Sequence, residues 1–343
     1  MSEGQIVVLD EGKMLEKIVE QPAQFEKAWT TLWIKEPPVK AEGVKNLILV
    51  GMGGSGVANE LVIDLFGATG GAVPITAWHD YQLPSWVNES TLVIATSYSG
   101  ETEETLDAVR LACERKAKIV AISKGGKLEE LSKINGFPLL KIDYDGPPRT
   151  AIGHLYGSLL TVLAKLELIN LTEKAYFQAL DELKKTIFQK AFPQKAEDLA
   201  ISLNNKVPLI LAYPPLAAIA GRWQNQFNEN SKTLAIRASL PEAGHNLVAG
   251  LEFPIPEKLT ALLLESKYGF SRNIAHKKAL QKVFSDKEIS FIPLSVRSSS
   301  ALAEQLLLIH FGDLLSFYLA GVYGVDPTPI EAIDKLKEEM AKL

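Results

Sequence analysis

The chain has 343 residues, of which 47% are apolar and 22% charged, and its formal net charge is -5. That length suits two ordinary domains with a large core. The composition excludes a disordered or low-complexity chain, and the acidic balance offers no basic footprint for nucleic acid.

Taken in chain order, the opening MSEGQIVVLDEGKMLEKI has no basic region leading into a long apolar run, so no secretory leader is expected. The first strand is predicted over Asn46–Val50. It ends abruptly in GMGGSG, and helix is predicted over Val57–Phe66. Glycines let backbone N–H groups approach a ligand, and the helix start adds partial positive charge, so this turn suits an anion such as phosphate. Gly54 and Ser55 are its candidate substrate contacts; a plain tight turn is the other reading. Strands are predicted over Ile75–Trp78 and Leu92–Thr96. The second ends in Ser97, Tyr98, Ser99, Gly100, Glu101 and Thr102 before a helix over Glu103–Arg115. Helix capping accounts for one hydroxyl there, but Ser97, Ser99 and Thr102 supply three, which suits phosphate oxygens. The single cysteine, Cys113, falls in that helix, cannot close an internal disulfide and fits a reducing cytoplasm.

Strands over Ile119–Ser123 and Leu139–Ile142, with a helix over Lys127–Lys133, continue the alternation. This pattern predicts an α/β fold, a doubly wound parallel sheet whose ligands lie beyond the carboxyl ends of the strands. The phrase DGPPR, ending in Arg149, breaks it. Two amphipathic helices are predicted over His154–Leu168 and Lys174–Lys190. A second α/β unit follows, with strands over Val207–Tyr213, Thr233–Arg237, Leu259–Leu264 and Ile289–Leu294 and a helix over Ser300–Leu319. The expected division is 1–153, connecting helices over 154–190, and 191–343. The apolar stretches read as strand-sized, so no membrane span is expected.

Outside the two loops, several residues could carry chemistry. Arg149 follows two prolines that stiffen the chain; it is either a surface arginine paired with an acid or a guanidinium held over a reacting diol. Glu229, in QNQFNENSKTLAI, and Glu242, in LPEAGHN, compete as a base. His245 suits proton exchange near neutral pH, with His276 and His154 as rivals. In VDPTPIEAIDKLKEEM, Lys335 and Lys337 point about 200° apart on a helix, and Ile330, Ile333, Leu336 and Met340 form the expected buried stripe. No His/Cys/carboxylate set has metal-ligand spacing, so no metal is expected.

The ordered set GMGGSG, SYSGETEET, PPR, PEAGHN and DPTPIEAIDKLK resembles the bifunctional phosphoglucose/phosphomannose isomerases of archaea and some bacteria, over nearly the whole chain. The SxSGxT loop alone marks only the wider sugar isomerase domain. The resemblance implies dimers of subunits with two such domains, interconverting glucose 6-phosphate or mannose 6-phosphate with fructose 6-phosphate without metal or organic cofactor. It implies phosphate on Ser97, Ser99 and Thr102, with Gly54 and Ser55 nearby, and Arg149 supporting an enediolate. It assigns Glu229 as the base between C1 and C2, and His245 with Lys337 as ring-opening groups, the histidine serving the partner subunit's site. Glu242 would then orient His245 or cap its helix, and Thr328 would leave room for rotation at C2. On the same scaffold, an amino-sugar-phosphate isomerase or deaminase and a sugar-phosphate-binding regulator are the alternatives. A glutamine-dependent amidotransferase would need a nucleophilic N-terminal cysteine.

Overall fold

In the computed structural model, which describes residues 6–33, 36–253, 256–340 and 342, two sheets are built entirely from parallel pairings. The remaining residues, including Met1–Gln5 of the stretch read for a leader, lie outside that description. The first sheet contains β1 (Asn46–Val50), β2 (Ile75–Trp78), β3 (Thr91–Thr96), β4 (Lys118–Ser123) and β5 (Leu139–Lys141) in the order β2-β1-β3-β4-β5. The second contains β6 (Val207–Ala212), β7 (Ile236–Ser239), β8 (Leu259–Leu264) and β9 (Ser290–Leu294) in the order β7-β6-β8-β9. Central strands such as β3, buried at every position, are continuous apolar runs because helices cover both faces. Strand order reverses between β1 and β3, and those two strands deliver the glycine and hydroxyl loops side by side.

The first sheet carries α3 (Gly53–Thr69), α4 (Glu103–Glu114) and α5 (Gly126–Asn135). The break at DGPPR becomes a 3-10 turn over Pro148–Thr150, followed by α6 (Ile152–Lys165), α7 (Glu173–Ile187) and α8 (Ala191–Ser202). The second half adds α9 (Ala217–Asn230), α10 (Asn273–Asp286), α11 (Ala301–Tyr323) and α12 (Glu331–Met340). Two further helices precede β1 and were not foreseen: α1 (Met14–Val19) and α2 (Gln21–Trp33). Phe25 and Trp29 of α2 are fully buried, and α2 packs on α6.

Three expectations need correction. The seventh strand runs over Ile236–Ser239, three residues later than expected at its start, because Lys232 adopts a left-handed φ of 53° and keeps the chain turning. The apolar segments are not all strand-sized: α11 has 23 residues, and length and mean hydropathy (1.6) alone would suit a membrane span. Its apolar window is 78% buried inside the protein, where it packs on α7, α8 and α9. The third concerns α12, whose expected stripe is not covered within the chain: Leu336 is 61% and Met340 54% exposed.

One core joins the two sheets. It includes Leu49 and Ile94 of the first, Ile210 and Leu262 of the second, and Trp223 and Leu315 of the intervening helices. The halves are also tied by polar contacts from α3. Asp64 Oδ2 accepts the N–H of Ala218 at 2.6 Å, in the first turn of α9. Glu60 Oε2 accepts from Arg237 Nη1 at 2.8 Å, on β7.

Candidate active site

At the tip of β3 the hydroxyls converge. Ser97 Oγ lies 2.9 Å from Thr102 Oγ1 and accepts the N–H of Gly100 at 3.1 Å. Ser99 Oγ accepts the N–H of Glu101 at 3.2 Å. One of the Ser97 and Thr102 hydroxyls donates to the other, while the remaining one and Ser99, which accepts from its own loop, keep a proton to donate outward at the start of α4. Thr102 stands at the N-cap position but makes no side-chain cap bond, so capping does not occupy it. Ser55, from the neighbouring loop, is buried and its Oγ accepts the N–H of Tyr98 at 3.3 Å, tying the two loops together.

The hydroxyl loop has a brace that the sequence reading missed. A Cβ on Gly100 would lie 1.8 Å from the carbonyl oxygen of Gly125, and one on Gly126 would lie 2.6 Å from that of Ser99. Glu101 reaches across to the same turn, accepting the N–H of Lys127 at 2.9 Å. The GG pair after β4 was the available signal. The glycine loop has its own brace: His79 Nδ1 is 2.7 Å from the Gly51 carbonyl, and its Nε2 is 3.3 Å from Glu60. Burial alone would raise the Glu60 pKa, but bonds from His79 and Arg237 hold it at about 2. Glu60 in turn raises that of His79 above the ordinary imidazole value.

Arg149 follows directly. A Cβ on Gly54 would lie 3.5 Å from the Arg149 Cα, so the glycine loop and the proline turn are in contact. The guanidinium is buried and four of its five N–H donors are engaged, one on Nη1 being left over. Nε donates to Asn230 Oδ1 at 2.7 Å, Nη1 to Glu229 Oε2 at 3.3 Å, and Nη2 to the carbonyls of Pro327 and Thr328 at 2.8 and 2.9 Å. Burial pulls its pKa down from the ordinary arginine value, opposed by the carboxylates of Glu229 and Asp313. It is therefore no surface arginine, although it is paired with an acid. Glu229 sits at the end of α9 with its side chain 23% exposed, reachable from solvent yet fixed beside a cation. Thr328 lies at the same place through its carbonyl, while its Oγ1 has no partner.

Beneath this pair runs a polar network that the sequence did not disclose. Asn230 Nδ2 donates to Ser316 Oγ at 2.9 Å. Arg222 Nη2 donates to the Arg149 carbonyl at 3.1 Å and to Asp313 Oδ2 at 2.5 Å. Asp313 also accepts from Gln226 at 2.8 Å and from Gln21. Lys232 Nζ donates to the carbonyls of Glu229 at 2.6 Å and Pro327 at 3.3 Å, fastening the segment before α12 to the end of α9. A lone aspartate in the apolar run of α11, with Arg222 and Gln226 four apart on α9, was the only hint.

Among the described residues, the other predicted catalytic side chains make no hydrogen bond or ion pair with this pair. His245 ends a 3-10 turn over Glu242–His245, between β7 and β8, and is exposed. Glu242 neither orients His245 nor caps the turn, but accepts from Asn246 Nδ2 at 3.2 Å. Lys335 and Lys337 are exposed on α12. Of the rival histidines, His276 is half-buried rather than free on a surface, with Nδ1 2.9 Å from the Tyr213 hydroxyl. His154 is buried beside Tyr144, and burial lowers its pKa to about 4, so it stays neutral and structural. Among the described residues, no group of three or more His, Cys, Asp and Glu is placed to hold a metal.

Comparison with known proteins matches both halves. Residues 42–172 fit the SIS domain, and residues 192–340 fit the bacterial phospho-glucose isomerase C-terminal SIS domain. The chain is 33% identical over 338 residues to the bifunctional phosphoglucose/phosphomannose isomerase of Caldicellulosiruptor bescii, covering 96% of this chain and 99% of that one. It is 32% identical over 299 residues to the enzyme of that name from Aquifex aeolicus, covering 87% and 91%. The D-glucosamine-6-phosphate 4-epimerase of Sulfolobus acidocaldarius is 32% identical over 216 residues, covering 61% and 64%. Among solved structures, the C-terminal domain of glucosamine-fructose-6-phosphate aminotransferase from Francisella tularensis aligns with a TM-score of 0.72 at 16% identity, covering 92% and 98%, and shares the fold. Across both halves, and at these identities over nearly its full length, the chain belongs to the bifunctional phosphoglucose/phosphomannose isomerase family.

Proposed function

We propose that the protein is an aldose–ketose isomerase that interconverts glucose 6-phosphate, and mannose 6-phosphate, with fructose 6-phosphate through an enediolate. The observation that carries this reading is the Glu229–Arg149 pair, 3.3 Å apart, beside the glycine and hydroxyl loops. The phosphate docks on Ser97, Ser99 and Thr102, with Gly54 and Ser55 flanking it. His245 and Lys337 open the ring by exchanging a proton with the ring oxygen. Glu229 then takes the C2 proton of the open-chain aldose, charge develops on the oxygens of the diol, and Arg149 stabilises it. The proton returns at C1 as the second hydroxyl becomes the carbonyl.

Arg149 suits this role because its bonds are made before substrate arrives, so little reorganisation is needed when charge develops. Exposure of His245 and Lys337 supports a homodimer in which a partner copy completes each site. Thr328, beside Arg149, is the residue we assign to rotation at C2. A cytoplasmic, metal-independent enzyme is the corresponding expectation, with the two SIS units divided near the stretch 154–190.

The test is a coupled assay from fructose 6-phosphate, with chelator present, reading glucose 6-phosphate and mannose 6-phosphate separately. Both products are expected. Silence in both, with turnover of glucosamine 6-phosphate instead, would move the chain to the amino-sugar chemistry named for its Sulfolobus relative.

A further inference from the structure

β2 ends at Trp78, and the next residue, His79, reaches back to the glycine loop. Its ring stands between two acceptors. Nδ1 lies 2.7 Å from the carbonyl oxygen of Gly51, the first residue past β1, and Nε2 lies 3.3 Å from Glu60 Oε1 on α3. Glu60 in turn accepts from Arg237 Nη1 at 2.8 Å and Nη2 at 3.5 Å, on the second sheet. His79, Glu60 and Arg237 thus join the entrance of the glycine loop to β7.

Both halves make room for this run. A Cβ on Gly56 of α3 would lie 3.0 Å from His79 Nδ1, and one on Gly221 of α9 would lie 2.3 Å from Arg237 Nη1. Neither glycine has a positive φ, so backbone conformation does not call for them. Glycine inside a helix costs stability, and here a methyl group would push a bridging nitrogen out of place.

The bridge also depends on a proton. A carbonyl oxygen and a carboxylate each need a donor, and a neutral imidazole has one N–H. Only the imidazolium satisfies both, and losing either contact separates the loop from the Glu60–Arg237 pair. The charges facing the ring are Glu60 from α3 and Arg237 from β7. α9 brings Gln224 and Asn225, which are uncharged, and Asp80, next in the chain, accepts the Tyr81 N–H at 2.7 Å. The Glu60 bond prevails over burial and Arg237, raising the imidazole above its ordinary value near 6.5. A cavity of about 250 Å³ borders the ring, and the side chain is 35% exposed, so its proton exchanges with solvent.

We infer that His79 is a positioning residue for the isomerisation proposed above, holding Gly54 and Ser55 in place for the sugar phosphate through the Gly51 carbonyl while its ring carries both protons. It acts through the loop, so its effect falls on binding rather than on the chemical steps. The identity of the ligand rests on the isomerase reading; the behaviour of the loop does not.

The experiment compares wild type, His79→Ala and His79→Arg across pH, the last keeping several donors that do not titrate. One readout is KM and kcat for fructose 6-phosphate in the coupled assay. Comparing the forms at each pH cancels the titration of the substrate phosphate, Glu229 and His245. The other is hydrogen-exchange protection, corrected for intrinsic rate, of the Ser55 and Gly56 N–H groups, which donate to the Met52 carbonyl. Below pH 6.5, His79→Ala should raise KM about fivefold with kcat within about twofold of wild type. That ratio should fall towards one as pH rises through the raised histidine value. His79→Arg should hold KM near the wild-type low-pH level throughout. Loop protection should fall over the same range in wild type, stay low in His79→Ala and stay high in His79→Arg. A KM ratio constant across pH, an effect confined to kcat, His79→Arg behaving as His79→Ala, or wild-type loop protection indifferent to the titration each overturns the inference. Protection that follows the titration, in a protein that turns over none of these sugar phosphates, would remove the isomerase reading and uphold the hold of His79 on the loop.

Discussion

Arg149 and His245 stand at opposite extremes of one proposed site. The guanidinium is buried, bonded through three nitrogens, and backed by Asn230, Ser316, Arg222 and Asp313. The imidazole of His245, like the Lys337 ammonium, is exposed. A charge that must stabilise another developing charge gains from being held rigidly. A group that exchanges protons with a ring oxygen gains its position only when substrate, or a second copy of the chain, is present. The proposed site therefore has one half that is buried and bonded and one half that is exposed.

The sharpest way to break this contrast is to alter the base. Glu229→Gln keeps the shape and removes the proton acceptor, so turnover should fall about 10³-fold with sugar-phosphate affinity nearly intact, as read by the coupled assay and by calorimetry. Near-normal turnover would pass the role to Glu242. His245→Ala should cost about 10²-fold or more. Mixing it with Glu229→Gln subunits tests where the histidine acts. If it serves the partner's site, mixed dimers contain one intact site and activity returns; if it serves its own subunit, the mixture stays inactive. On the fixed side, Arg149→Lys keeps the charge but loses the bonds to Asn230 and the Pro327 carbonyl. It should cost about 10²-fold in kcat and also lower Tm, whereas Lys337→Ala should leave Tm unchanged. Ser97→Ala with Thr102→Val should act chiefly on KM, raising it about tenfold or more, because the phosphate is bound alike in ground and transition states.

The smallest effect concerns the brace of the glycine loop. Glu60, held at about 2, contributes stability that is present above its ordinary value near 4.5 and is lost as pH falls from there towards 2. His79 is raised, so its contribution is present below its ordinary value near 6.5 and is lost as pH rises through the raised one. Wild-type Tm should thus decline on both sides, and Glu60→Gln should flatten both limbs in a scan of Tm against pH.

How far the sequence could be read follows the same division between local and distant causes. The bounds expected for β1, β2 and β8 match those observed, because short apolar runs bounded by turns are local signals. The edge strand β7 is mostly exposed, gave a weaker pattern, and was displaced. The two loops were legible for the same reason as the central strands, since glycines and hydroxyls at a strand tip announce themselves. The network under Arg149 was not, because Asp313 lies 91 residues from Arg222 and 87 from Gln226. Residue type placed Arg149 after two prolines, but only tertiary packing shows that it is buried. Periodicity on α12 correctly marks an apolar stripe, and carries no information about what covers it.

The bond from Gln21 to Asp313 closes a loop of 292 positions inside the core. During synthesis α2 emerges near the beginning and α11 near the end. Until α11 leaves the ribosome, Gln21 lacks that carboxylate and α7, α8 and α9 lack the apolar helix they pack on. The face of the first sheet that shares the joint core therefore reaches its final packing only once α11 is present, whereas its other face closes on α4 and α5 with residues of the first half alone. A nascent chain halted near residue 190 should be readily cleaved by protease, where the released protein resists.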